Sequence, residues 1–338
     1  MLNQYYNYEY FVVLRKLNYK EMKLLKTTLI ATVISATAFA QNADKALARV
    51  RYTFSHMRDT TQRDNFQTEN MLLVIGKNAS VFTSYDKINR DLELRKQVEE
   101  QIKAQGGTLS SLNFNRTSSK PITNEDYFYF ANENKFYTKE RIISNYLIEE
   151  TAPKINWKIT KDTASFSGVK CQKATTHFKG RNWVAWFAPE LPFQSGPWKL
   201  NGLPGLIIEA NDDRNEVKFQ FAGIDKVIEE EKPKETEQIV TMSNGGTTSN
   251  LKFGGMDGNA YLGSEIKLPT DAIKTSQKEI DKLKEARNKD PQGFINAQMG
   301  GRGVNGNISI SSSTKFAAAP GGAKKTAFNN PIELPEKK

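Results

Sequence analysis

Hydrophobic and polar residues alternate over short stretches along much of the chain. The alternation over Arg49–Phe54 is typical of a strand with one buried face. Two apolar stretches, 71–75 and 80–85, flank a Gly-Lys-Asn-Ala turn and predict a hairpin. Further strand patterns follow one another between Asp126 and Ile224, at residues 127–130, 135–138, 142–149, 155–160, 164–166, 170–178, 182–187, 206–210 and 216–221.

Between Asp126 and Ile224, short connections separate most of the predicted strands, and no crossover of helix length lies between them. Antiparallel neighbours need only such short connections. We therefore predict a mainly β fold, an antiparallel meander whose sheet is curled or forms a half-barrel, because curling protects strand edges. Charged helices are expected at its periphery, at residues 91–105 and from Pro269 to Lys289.

The N-terminus has the pattern of a secretory signal peptide. From Met22, a short basic stretch precedes the apolar residues 27–39 and an Ala-Phe-Ala site that ends at Ala40. This apolar stretch is shorter than the roughly 20 residues of a membrane-spanning helix. We predict that residues 22–40 are a signal peptide. Met22 is then the true start of translation, and residues 1–21 are an upstream segment assigned to the protein in error. The alternative is a buried N-terminal helix.

The mature chain is expected to form a single β-rich domain over residues 41–290, with the first charged helix inserted into it. Residues 239–263 are rich in glycine and fit neither a compact helix nor a regular strand. Residues 291–338 form a low-complexity tail. This tail ends in the more apolar segment 329–335, which is expected to dock as a last edge segment.

The composition limits which partners the chain can bind and what can stabilise its fold. Lysine and arginine outnumber the acidic residues, 48 to 38, but they are dispersed among the acids, so we expect a mild anionic preference and no nucleic-acid partner. Loss of residues 1–40 lowers the formal charge from +10 to +7. Cys171 is the only cysteine, which excludes an internal disulfide. It fits a half-buried strand position, with a reactive thiol or metal ligand as the alternative.

Motifs for catalysis are scarce. The two histidines, His56 and His177, lie far apart, and no His-Glu-x-x-His or paired-cysteine spacing predicts a metal site. The sequence has no Gly-x-Ser-x-Gly motif and no phosphate loop. Glu190 and Glu209 could in principle form an acid/base pair, but ordinary surface or strand-end carboxylates are the simpler interpretation of them. We predict no catalytic residues, no metal and no cofactor.

Residues 183–209 contain three of the four tryptophans, four prolines and three glycines. Pro204 fixes one backbone angle, whereas Gly202 and Gly205 allow conformations that other residues avoid. Leu206 and Ile207 then enter a strand, so the segment is predicted to be a rigid corner. Its apolar side chains are either packed in the core or form a ligand or partner surface that comprises Trp183, Trp186, Trp198, Leu203 and Pro204.

The stretch Gly202-Leu-Pro-Gly-Leu-Ile-Ile208 resembles the signature of the GLPGLI family of exported Bacteroidetes proteins. The similarity extends to Cys171–Ala174, Gly180-Arg181, Trp183–Trp186, Pro189-Glu190, Gly196–Trp198 and Asn330–Leu334. The resemblance implies a secreted or periplasmic protein of the cell envelope, near outer-membrane receptor systems. It implies no particular catalytic residue.

Three functions are compatible with these patterns. The first is a non-enzymatic envelope protein, periplasmic, outer-membrane associated or extracellular, that binds an apolar ligand such as a lipid, a peptide or an outer-membrane receptor. The second is an envelope hydrolase for peptide or glycan, with a site around His177 and nearby carboxylates. The third is a structural or interaction module only. In each case the mature chain is expected to have no transmembrane span.

Overall fold

The computed structural model describes residues 43–104, 122–142, 144–227, 239–244, 247–252, 261–291, 293–294, 297 and 328–336. The predicted signal peptide, the segment before it and most of the low-complexity tail lie outside these residues. None of the helices in the described ranges combines the length and the apolar character that a membrane crossing requires.

The described residues form fifteen strands and two long helices. The helices are α1 (Tyr85–Ala104) and α2 (Gln277–Lys289). The strands are β1 (Asp44–His56), β2 (Gln67–Gly76), β3 (Ala79–Ser84), β4 (Glu125–Phe130), β5 (Lys135–Arg141), β6 (Asn145–Thr151), β7 (Lys158–Phe166), β8 (Val169–Phe178), β9 (Arg181–Ala188), β10 (Leu206–Asp212), β11 (Val217–Lys226), β12 (Ile239–Asn244), β13 (Thr247–Lys252), β14 (Glu265–Ile266) and β15 (Ile273–Thr275).

Thirteen of the strands form one open sheet. Its order is β15-β6-β5-β4-β3-β2-β1-β11-β10-β9-β8-β7, and β14 pairs with the start of β1. All pairs are antiparallel except β15 with β6, while β12 and β13 form a separate hairpin. The predicted mainly β, antiparallel fold with peripheral helices is therefore confirmed, and the sheet is not closed.

Two meanders, β1–β6 and β7–β11, meet where β1 pairs with β11. In this seam Val50 lies opposite Ile224 and His56 lies opposite Val217. The partners are far apart in sequence, so the pairing cannot be read from local periodicity. It places the start of the first meander beside the end of the second.

The sheet has a buried core on each face. The inner face, as we name it, carries Tyr52, Leu73, Trp183 and Phe219 in one cluster that spans both meanders. The outer face carries a second cluster, which includes Leu72, Val74, Val81 and Phe128 with Ile88 of α1. Successive side chains of a strand point to opposite faces, so residues 71–75 of β2 are all apolar because both faces of the sheet are covered there.

Helix α2 packs at the β6 end of the sheet. Ile280 is fully buried against Tyr146 and Ile148 of β6. The Ser276 side chain accepts the backbone N–H of Glu279 and caps the helix. The helix therefore begins at Gln277, not at the predicted Pro269, because residues 273–275 are used for β15.

Two other predictions are corrected. Helix α1 begins at Tyr85, six residues before the predicted start, because Tyr85 and Ile88 pack on the outer core. Residues 239–244 and 247–252 form the paired strands β12 and β13, although the sequence predicted no regular strand there. The Asn-Gly-Gly sequence that begins at Asn244 is a strong hairpin signal that outweighs the glycine-rich composition.

Candidate binding site on the inner face of the sheet

Two segments without regular secondary structure lie on the inner face. The first, which we call the corner, comprises residues 189–205 between β9 and β10. The second, the strap, comprises residues 328–336. The corner is held by its own backbone hydrogen bonds, including Leu206 N–H to Leu191 O at 2.9 Å and Ile207 N–H to Ser195 O at 3.1 Å.

The side chains of the corner extend the inner core. Trp198, Leu200 and Leu203 are buried. The Trp198 ring lies 5.5 Å from the ring of Trp183 and 5.8 Å from that of Phe178. Aromatic pairs at these separations stabilise a core beyond their buried area, so the corner is fixed to β8 and β9 by its tryptophan.

Trp198 is strained and has an unpaired polar group. Its φ is +56°, a conformation that is a genuine outlier for a bulky residue. Its Nε1–H is buried without a hydrogen-bond acceptor among the described residues. In contrast, Nε1–H of Trp183 donates to the Phe178 carbonyl at 3.0 Å. Strain and unpaired buried donors both concentrate at functional sites, which makes Trp198 the most unusual residue of the corner.

The two glycines of the corner meet different requirements. A Cβ at Gly205 would lie 2.2 Å from the carbonyl oxygen of Ala188, so the backbone there passes too close for any side chain. Gly202 has open space around it but a φ of +85°. Leu206 and Ile207 then begin β10 as fully buried residues.

The strap is held by hydrogen bonds to loops and side chains and does not pair as an edge strand. The amides of Asn329 and Asn330 donate to the Arg58 carbonyl at 3.1 and 3.2 Å. Further along, Leu334 N–H donates to the Lys179 carbonyl at 3.0 Å. The segment therefore bridges the end of β1 and the β8–β9 turn.

Arg181 is the centre of this attachment. Its Nη1 donates to the carboxylates of Asp212 at 2.6 Å and Glu216 at 3.2 Å. Its other N–H groups donate to the strap: Nε to the Ile332 carbonyl at 2.8 Å, and Nη2 to Asn330 Oδ1 at 2.6 Å and the Pro331 carbonyl at 2.7 Å. A guanidinium has five N–H donors, and all five are used in a buried position.

His56 holds the strap from β1. Its Nε2 lies 2.7 Å from the carbonyl oxygen of Asn330. Burial and, to a lesser extent, the positive charge of Arg181 together lower the pKa of His56 to about 4, against the opposing effect of the bond to Asn330. The ring is neutral at pH 7, and because a carbonyl only accepts, Nε2 carries the proton of this hydrogen bond.

Lys199 joins the corner, the strap and the sheet. Its Nζ lies 2.9 Å from Glu333 of the strap and 3.3 Å from Glu150 of β6. Burial raises the pKa of the Glu333 carboxyl, but Lys199 and Lys179 outweigh this effect and hold the pKa below its usual range. Glu333 is therefore an ionised anchor between two lysines.

The five residues predicted as a ligand or partner surface do not share one environment. Trp183, Trp198 and Leu203 are buried, Trp186 is half-buried and Pro204 is exposed. The centroid of the Trp186 ring lies 5.6 Å from that of the Phe166 ring in β7. The predicted surface stays a prediction, with solvent access only at Trp186 and Pro204.

The predicted hydrolase residues are placed as follows. His177 is exposed, with Nδ1 2.7 Å from Asn182 Oδ1 and Nε2 2.8 Å from the Glu336 carboxylate. These hydrogen bonds raise the pKa of His177. Glu190 is exposed, whereas the Glu209 carboxylate accepts the Phe221 amide in β11. Within the described residues, no cluster of three or more histidine, cysteine, aspartate or glutamate side chains has the arrangement of a metal site.

The roles of Arg181 and His56 were missed by the sequence reasoning. Arg181 and Asn330 both fall in the stretches that resemble the GLPGLI family, and this common membership was the only available signal of their contact. They are 149 residues apart, so no spacing rule connects them.

Comparisons with known proteins bear on part of the chain. Residues 117–209 match the model of a family described as a protein of unknown function (Porph_ging). No curated protein matches the chain. Two solved structures of PNGF-II, from two crystal forms, are 11% and 12% identical to it, with TM-scores of 0.38 and 0.36. Each alignment covers 55% of this chain and 29% of the other, so the chain spans under a third of those proteins.

Proposed function

We propose that this chain is an exported binding protein of the GLPGLI family that holds an extended polypeptide segment on the inner face of its sheet. The signal-peptide pattern at residues 22–40 supports export to the periplasm or the outer membrane of a member of the Bacteroidetes. The family assignment is supported by the matched span 117–209, which ends one residue after the Gly202–Ile208 motif.

The observation that carries the proposal is the way in which the strap is held. Arg181 and His56 contact three consecutive main-chain carbonyls, those of Asn330, Pro331 and Ile332. Contacts to the main chain depend little on the side chains of the bound segment, and they are the usual basis of peptide recognition. The site is therefore built for an extended chain and not for a compact ligand.

Selectivity comes from two side chains of the bound segment. Both polar atoms of the Asn330 side-chain amide are hydrogen-bonded. Its Oδ1 accepts from Arg181, and its Nδ2 donates to the Met57 carbonyl at 2.7 Å. Three residues later, Glu333 lies between Lys199 and Lys179. The preferred ligand is thus an extended peptide with asparagine, proline, an apolar residue and glutamate in succession.

In the chain itself this ligand is supplied by residues 328–336, which act as the resident occupant. A segment of an envelope partner with the same chemistry would compete for Arg181 and His56. A peptide fits this site better than an apolar ligand does, because the Trp198 ring of the corner is already packed against Trp183 and Phe178.

The test uses the full mature chain with a protease site introduced after Pro320. After cleavage, a fluorescein-labelled peptide of residues 328–338 is added and its exchange with the resident strap is followed by fluorescence anisotropy. We expect saturable binding that unlabelled peptide displaces. Affinity should be at least about tenfold weaker for the peptide with Asn330→Ala, since the three buried hydrogen bonds of the Asn330 side chain, to Arg181, Met57 and Glu216, are lost.

The matched control is the peptide with Ile332→Val, which keeps every main-chain contact and should bind within about threefold of the parent peptide. A cleaved strap that never exchanges would show that the segment is a permanent part of the fold. Equal binding of the Asn330→Ala peptide would show that the Arg181 contacts do not select a ligand.

A further inference from the structure

One edge of the large sheet ends in an exposed strand. β7 is last in the strand order and pairs only with β8. Most of its nine residues are exposed, and Ile159 is 44% exposed. An edge strand presents a row of backbone N–H and C=O groups that a further strand can pair with.

Positive charge is concentrated along this edge. Residues 154–173 contain five lysines and one acid, Asp162, and so carry +4 of the +10 formal charge of the whole chain. Lys173 contacts Asp162 at 3.4 Å. The other four are exposed and, among the residues that the structure describes, have no carboxylate within 4.0 Å: Lys154, Lys158, Lys161 and Lys170.

The backbone at the C-terminal half of β7 is directed outward for pairing. Ser167 and Gly168, with φ of +48° and +83°, form a two-residue turn between Phe166 and Val169. The residues that flank such a turn are hydrogen-bonded to each other, and hydrogen-bonded pairs alternate along antiparallel strands. Thr163 and Ser165 therefore direct their N–H and C=O groups away from β8.

We propose that the β7 edge is a docking site for an acidic, extended polypeptide segment of another protein, which adds to the sheet as a further strand. The unpaired groups at Thr163 and Ser165 supply main-chain hydrogen bonds, and Lys158, Lys161 and Lys170 select carboxylates. This surface is separate from the strap site and does not depend on it.

The charge on the edge also decides against a second copy of the chain as the partner. Two copies paired edge to edge would bring their lysines together, and like charges across a pairing are destabilising. The same lysines attract an acidic strand, so a single feature excludes one partner and favours the other. A simple anionic polymer satisfies the lysines but leaves the backbone groups unpaired.

The experiment uses the full mature chain and a fluorescein-labelled octapeptide of alternating glutamate and valine. Binding is measured by anisotropy at two salt concentrations, because exposed charge contacts weaken as salt screens them. The double substitution Lys158→Glu and Lys161→Glu should weaken binding at least about tenfold. Its matched control, Lys278→Glu with Lys289→Glu on exposed positions of α2, changes the net charge equally and should leave affinity within about twofold.

The backbone contribution is tested with Ser165→Pro against Ser165→Ala. Proline removes an outward N–H without breaking the β7–β8 pairing, so Ser165→Pro should weaken peptide binding at least about tenfold. Ser165→Ala keeps the N–H and should leave the affinity unchanged. The melting temperatures of both variants, compared with that of the wild type, show whether the variants are folded. Slower amide exchange at residues 163–166 on peptide addition gives an independent readout.

Three results would overturn the proposal. The first is no binding of the peptide to the wild-type chain. The second is undiminished binding to the double glutamate variant. The third is equal binding to Ser165→Pro together with unchanged amide exchange at residues 163–166, which would identify the edge as a non-specific polyanion surface.

Discussion

Two tryptophans of the inner core, Trp183 and Trp198, lie 5.5 Å apart and differ in one polar contact. Trp183 donates its indole N–H to Phe178, whereas the indole N–H of Trp198 is buried without an acceptor in the described residues. Replacement by phenylalanine removes the indole N–H and some ring area at both positions. Trp183→Phe should therefore destabilise by about 1–2 kcal/mol more than Trp198→Phe.

Urea unfolding followed by far-ultraviolet circular dichroism measures this difference. Trp198→Ala is the reference for loss of the whole side chain, with an expected cost of about 3–5 kcal/mol. Equal costs for the two phenylalanine variants would mean that the Trp198 indole N–H has an acceptor in solution.

His56 gives the attachment of the strap a defined pH dependence. Its pKa in the folded chain is about 4, below the ordinary value near 6.5, so the unfolded chain binds the proton first as the pH falls. The stabilisation that neutral His56 provides is fully present above pH 6.5. As the pH falls towards 4, this stabilisation is lost, and the free energy of unfolding decreases by up to about 3 kcal/mol. Urea midpoints between pH 7 and 4 should fall more steeply for the wild type than for His56→Gln.

The His56→Gln variant keeps an N–H donor for the Asn330 carbonyl, but its amide does not titrate. Burial also raises the pKa values of the Glu140 and Glu209 carboxyls, so these groups add to the pH dependence of both proteins. Only the difference between the two proteins reports on His56, and parallel pH curves would contradict the assignment.

At the scale of single residues, the sequence predicted local environments better than distant contacts. The alternation around Cys171 predicted an apolar strand position, and the thiol is buried in β8. Nothing in the sequence around Arg181 predicted Asp212, Glu216 and Asn330 as its partners, because those contacts depend on which strands become neighbours.

At the scale of the elements, two hairpin turns offer a matched pair of glycines. Gly168 and Gly180 both have positive φ, of +83° and +70°. A Cβ at Gly168 meets open space, whereas at Gly180 it would lie 2.5 Å from the Leu334 carbonyl oxygen of the strap. Gly168→Ala should lower the free energy of unfolding by about 1 kcal/mol, because it adds only backbone strain. Gly180→Ala should lower it by about 1–3 kcal/mol more.

Thermal unfolding of the two variants checks this prediction. Deletion of residues 328–338 from both should remove the difference, because only the Gly180 position contacts the strap. A Gly180→Ala variant as stable as Gly168→Ala would show that the strap moves aside without cost.

Elements with local signals were predicted well, and elements that depend on distant pairing were not. The β2–β3 hairpin follows from apolar stretches on either side of a tight turn, and the stretches and the turn lie within 20 residues of sequence. The start of α2 was misplaced because β15 joins β6 in parallel, a pairing with residues more than 120 positions earlier. Propensity alone does not report such pairings.

For the molecule as a whole, Cys171 serves as a reporter of unfolding. The thiol lies in β8 between β7 and β9, and burial raises its pKa to about 11. At pH 8 only about one thiol in a thousand is ionised, and the thiolate is the reactive form. Labelling by a disulfide reagent should be negligible without urea and should accelerate in parallel with global unfolding. Rapid labelling without urea would instead indicate local opening at the β7 edge.

The contacts of the strap have a consequence for shortened forms of the chain. A chain that stops before residue 328 retains Arg181 but lacks its three acceptors in the strap, and His56 loses the Asn330 carbonyl. Loss of these hydrogen bonds makes the shortened chain less stable than the full one. The shortened chain should therefore unfold more often and be cut more readily by proteases.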